Sequence, residues 1–208
     1  MACAAAALVS VVWMSVAGIT AKVHRMSCMS LMRASRDGVN RYLAENFKPP
    51  LPPTKDEWDT MLGDPGGKYS NQWLVGVLQG TTGTFREDDG QEFDAHKANP
   101  KSVAYATFPS VSYSRRGGVG DDGKLYDPWG REIMFALNSR VQDTFTNNGF
   151  RDQMLHTWGM AEYAETKPGL QPFAAWSYGA DGVKGRAETK PGPGALPALK
   201  GSDDMVLW

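Results

Sequence analysis

Cysteine is nearly absent: the 208 residues contain two, Cys3 and Cys28, both close to the N-terminus. If one helix joins them they stand roughly 37 Å apart, at about 1.5 Å per residue, which excludes a bridge within the chain. Histidine is equally scarce, and His24, His96 and His156 share no metal-ligand spacing. The sequence has no G-x-S-x-G, no P-loop and no G-x-G-x-x-G opening a helix. Carboxylate pairs such as Asp121-Asp122 are adjacent in a loop-like stretch and so give no fixed acid/base geometry. These absences leave an enzyme without support. A net charge of −1 removes the electrostatic case for a nucleic-acid partner.

Charge is also missing from residues 2–19, an unbroken run of apolar and small residues about as long as the minimum for a membrane span, though weakly hydrophobic because of its alanines. Beyond it Val23, Met26, Met29, Met32, Val39, Leu43 and Phe47 recur at near-helical spacing until Pro49, Pro50, Pro52 and Pro53. The pattern predicts one helix from about Ala4 to Asn46, weakened by Gly38. A signal peptide followed by a core helix would produce a similar pattern, but no Lys or Arg precedes the apolar run. The expected organisation is a helix over residues 1–47 with its first half in the membrane, a Pro-rich linker over 48–57 and a globular domain over 58–208.

In the body, residues 56–62 read as a short helical or capped segment, 71–79 as a second with Trp73, Leu74, Val77 and Leu78 on one side, and 80–97 as an acidic loop. The acidic residues of that loop, Glu87, Asp88, Asp89, Glu92 and Asp94, lack the spacing of a helix–loop–helix calcium site. Val103, Tyr105 and Phe108 mark a strand ending at Pro109, and residues 115–124 a Gly-rich hairpin tip. Two short copies of AETKPG, at 164–169 and 187–192, are too few for a repeat architecture and read as a local duplication in loops.

Two clusters stand out. Asp127-Pro128-Trp129-Gly130 has the composition of a type I turn, in which proline presets φ and the carboxylate accepts backbone N–H groups. Ile133, Phe135 and Leu137 then alternate with Met134 and Ala136, so the turn launches a strand, with Trp129 directed at whatever lies beneath. Residues 172–178 form a second short strand, followed by Gly179-Ala180-Asp181-Gly182 and later Ser202-Asp203-Asp204. Hard cations take six to eight oxygens from carboxylates and carbonyls in irregular loops. On residue types alone, the first cluster fits any hairpin corner and the second fits either a solvated acidic loop or a metal site.

Taken in order, the DPWG turn, the GADG segment, the late Asp pair and the terminal Trp208 resemble type IV pilin-like proteins, in particular the C-terminal half of the major pseudopilins of type II secretion. The resemblance covers roughly residues 103–208 and the N-terminal helix in outline. It implies an α+β fold, with a long N-terminal helix packed on a small antiparallel sheet built from 103–109, 131–137 and 172–178. It implies a structural subunit rather than an enzyme, which assembles with other pilin-like subunits and the inner-membrane secretion machinery into a pseudopilus or pilus-like fibre. Its helix would sit in the inner membrane and its body in the periplasm or envelope. It also implies Ca²⁺ held by Asp181, Asp203 or Asp204 and the Tyr178 carbonyl. The family's acidic N-terminal start is not in this sequence, whose first carboxylate is Asp37. A misplaced start codon or a divergent subunit is the expectation. The other classes considered are a membrane-anchored envelope protein binding a ligand through exposed aromatics, and a secreted metal-dependent enzyme.

Overall fold

The computed structural model describes residues 2–52, 60–65, 69–81, 84–86, 92–112, 114–137, 173–183 and 204–207, with the side chains of the first helix from Gly18 onward. Helix α1 runs unbroken over Ala2–Asn46, 45 residues, or about 68 Å of helix. No proline interrupts it, and Phe47 ends it with a left-handed φ of 55° before Pro49 forbids continuation. Among the described residues no helix is long and apolar enough to cross a membrane.

The second half of α1 belongs to the body. Cys28, Leu31, Met32, Ser35, Val39 and Tyr42 are buried, a stripe that the 3.6-residue period places on one face. That face packs on the sheet and on helix α2, Gln72–Gln79. At Gly38 α1 comes close to its neighbours: a Cβ there would stand 2.9 Å from the Ala106 Cβ and 3.4 Å from Leu78. The glycine that lowers helix propensity therefore admits the close crossing.

Four antiparallel strands form the sheet in the order β1-β6-β7-β8, with β1 at Thr60–Leu62, β6 at Met134–Leu137, β7 at Phe173–Ser177 and β8 at Met205–Leu207. The register sets Leu62 opposite Phe135, Leu137 opposite Phe173 and Ala175 opposite Leu207. All of these side chains lie in the core cluster together with the buried face of α1. Met134, Ala136, Ala174 and Trp176, on the opposite face by period-2 alternation, are buried as well. The α+β class, the long helix and the small antiparallel sheet thus stand as the sequence implies.

Three expectations are corrected. Residues 103–109 are not a strand: the Tyr105 and Ala106 N–H groups donate to the Leu78 carbonyl at 2.8 and 2.9 Å. Asn99 holds the same segment, donating to the Val77 and Val103 carbonyls and accepting from Val103 N–H. The backbone groups of that segment cap the end of α2 instead of joining a ladder. Thr60–Leu62, expected as the end of a helical or capped segment, is the edge strand β1; the rest of that expected segment lies at 56–59, outside the described residues. The expected loop over 80–97 contains a hairpin, β2 at Thr84–Arg86 with β3 at Glu92–Asp94, and a short helix α3 at Ala95–Ala98. Asp94 caps α3 by accepting from His96 N–H. The Gly-rich tip near 115–124 is a hairpin as expected, with β4 at Gly118–Val119 and β5 at Leu125–Tyr126.

Candidate functional site

The DPWG turn joins β5 to β6 and is gripped from three sides. Asn71, fully buried, donates to the Leu125 and Ile133 carbonyls and accepts from Leu125 N–H, clamping the chain just before and just after the turn. Asp127 is also fully buried. Its Oδ1 accepts from the N–H groups of Trp129 and Arg131 at 2.9 and 3.0 Å, the capping its type predicts. Gly130 takes φ 93°, which glycine adopts at little cost.

The other carboxylate oxygen reaches the second cluster. Ser177 at the end of β7 donates its hydroxyl to Asp127 Oδ2 at 2.6 Å and accepts from Gly179 N–H at 3.2 Å. Arg131, directly after DPWG, donates Nη1 to the Gly179 carbonyl at 2.7 Å, and its guanidinium also reaches the Ala180 carbonyl at 3.4–3.5 Å. The two sequence clusters are therefore one structure, linked by a buried carboxylate on the strand side and a guanidinium on the loop side. Sequence reasoning missed Ser177, Arg131 and Asn71. The first two lie within or next to the motifs, whereas Asn71 carries no local signal because its partners are more than 50 positions away.

Cys28 of α1 lies against Ser177, and burial, with the Asp127 charge second, pushes its thiol from 9.0 up to about 12, against a lowering hydrogen bond from Ser177. The tyrosines Tyr42, Tyr105, Tyr126 and Tyr178 are likewise raised, each chiefly by burial. In every case the folded state holds its proton more tightly than the unfolded chain. Their stabilising effect is complete below the unfolded values and is lost as pH rises through the folded ones. Urea midpoints of the full chain should accordingly fall as pH climbs above 9.0, the ordinary thiol value. Cys28→Ala should flatten the first part of that fall; a midpoint that stays level into the alkaline range would contradict the buried placement of these groups.

Trp129 is half-buried, packed against the core and edge-on to His24 of α1, with ring centroids 5.9 Å apart. The ring that the sequence directs at whatever lies beneath is thus covered only in part. Trp129→Ala should therefore cost roughly 2 kcal/mol, below the ~3–5 of a fully buried aromatic. Equilibrium urea melts check the value, and a cost above ~4 kcal/mol would mean the ring anchors more than its position indicates.

Of the residues expected to hold calcium, Tyr178, Asp181 and Asp204 are described and Asp203 lies outside the described residues. Asp181 is exposed, and its Oδ1 accepts from Val183 N–H at 2.8 Å, a local Asx turn. Asp204 lies on the side of Tyr178, which both Asp64 and Asp204 influence. Among the described residues no three His, Cys, Asp or Glu gather in a metal-binding group. The neighbouring loop carbonyls of Gly179 and Ala180 face the Arg131 guanidinium.

Compared with family models, with curated proteins and with solved structures, the chain matches none.

Proposed function

We propose that this chain is a pilin-like structural subunit, anchored at the inner membrane by the start of α1 and assembling with like subunits into a fibre of envelope protein export. The observation that carries this reading is the division of α1. Its later half is buried in the body, whereas Ile19, Val23 and Met26 stand 65%, 55% and 64% exposed. At about 100° per residue those three share one face, opposite the buried stripe. Large apolar side chains left in water on a projecting helix mark an interaction site, and helices packed against one another or lipid are two ways of covering them. The rigid core contact of α1 would make such a helix a handle for the whole body.

The ligand-binding alternative requires an open aromatic surface. Among the described aromatics Trp73, Trp176, Phe135 and Phe173 are buried, and Phe47 alone is among the exposed large apolar residues.

The test is Val23→Asp with Met26→Asp in the full chain. Both positions are exposed, so the thermal melt should move by no more than about 2 °C, while recovery of subunits in pelletable assemblies from membranes should be lost. Undiminished assembly with the double variant would sink the reading.

A further inference from the structure

We propose that Arg131 is the resident cation of the loop over residues 178–183. Its guanidinium closes the loop from within the chain, the task that the resemblance assigns to calcium. Gly179 and Gly182 both take positive φ, 64° and 69°, which turns the loop tightly on itself and brings its carbonyls toward the end of β6. A turn with several carbonyls on one side needs a cation or donors there. Arg131 supplies them, at 2.7 Å to the Gly179 oxygen and 3.4–3.5 Å to the Ala180 oxygen.

The fit extends beyond hydrogen bonds. A Cβ at position 182 would overlap the Arg131 guanidinium, so glycine at this place makes room for the arginine as well as for the turn. The arginine is itself fixed, because its backbone N–H donates to Asp127 Oδ1 at 3.0 Å. The same carboxylate accepts from Ser177, whose hydroxyl receives Gly179 N–H. Both the donor and the acceptor groups of Gly179 are thereby tied to the DPWG turn. A guanidinium stays charged at every accessible pH and presents a planar fork of donors, so the clamp persists without any ion from solution. A divalent ion taking the same carbonyls would have to displace this fixed positive charge.

Three arms on the full chain in mild detergent test the proposal, none of which depends on whether the chain assembles. In the wild type, replacing excess calcium with chelator should shift the melting temperature by less than about 1 °C; a fall of several degrees would overturn the proposal. In Arg131→Met, amide exchange at residues 179–183 should rise tenfold or more while β6 and β7 stay protected. Arg131→Lys should recover part of that protection. Unchanged exchange in Arg131→Met would also overturn the proposal. Gly182→Ser is the independent variant, displacing the guanidinium while leaving Arg131 present; it should open the same amides, and a loop that stays protected counts against the clamp.

Discussion

Asp127→Ala is expected to cost about 4 kcal/mol, the larger of two big losses, because it strips three hydrogen bonds from a buried carboxylate and leaves their donors in the interior. The donors are the N–H groups of Trp129 and Arg131 and the Ser177 hydroxyl. Against a typical total of roughly 5–15 kcal/mol, that is a large share of the stability of the fold. Asp127→Asn should cost about half as much, since an amide oxygen still accepts from the turn while the opposite side loses its charge. Combining Asp127→Ala with Ser177→Ala should cost clearly less than the two single losses together, because each single change strands a group that the other removes. Urea melts of the four proteins measure the coupling. A loss below ~1 kcal/mol for Asp127→Ala would mean that the turn is not a structural node.

Asn71→Ala is the second, at about 3 kcal/mol. The amide of Asn71 bridges the strand entering the DPWG turn and the segment leaving it, and its loss leaves Leu125 N–H buried beside two carbonyls. Leucine at this position is no remedy, because volume without donors still leaves the backbone groups unmet. The distinctive consequence is local: amide exchange should rise across β5 and the start of β6 before it rises in α1. Uniform destabilisation with no such ordering would remove the clamp from the account.

The contrast between those two residues shows what was legible beforehand. Asp127 declares itself, because Asp-Pro-x-Gly is a turn by local chemistry and its first carboxylate caps the N–H groups two and four residues on. Helix α1, helix α2 and strands β6 and β7 were legible for a related reason: each is long enough, or apolar enough on one side, for its period to show. Strands β1 and β8 are three residues each, too short to display an alternation, and they are strands because β6 and β7 offer them free edges. Residues 103–109 were the converse error. Their extended, aromatic pattern suits a strand, but the nearest unmet groups are the carbonyls at the end of α2, and Asn99 holds the segment there.

The site divides the same way. That DPWG and GADG belong together was visible only through resemblance; the physical link is a Ser–Asp hydrogen bond and an arginine across about 50 positions. Arg131 carried no signal because arginine after a turn is ordinarily a solvated side chain. Its role depends on the backbone of a loop that composition marks as acidic, and backbone carbonyls leave no trace in composition. Gly38 likewise looked like a weak point in a helix, whereas the contact with Ala106 and Leu78 makes its small size a requirement.

The central claim is that the exposed face of α1 at Ile19, Val23 and Met26 joins one subunit to another. Cysteine cross-linking in native membranes tests it most directly, with Met26→Cys placed in the full chain alongside Cys3→Ser. Cys28 is buried and can remain. Brief oxidation should convert the Met26→Cys protein, which offers one accessible thiol per chain, into covalent dimers that co-fractionate with assemblies, while Lys101→Cys with Cys3→Ser, on the exposed surface of the body, yields monomer. Monomer alone from Met26→Cys, and from Val23→Cys beside it, in membranes where the protein is folded and abundant, would contradict the account.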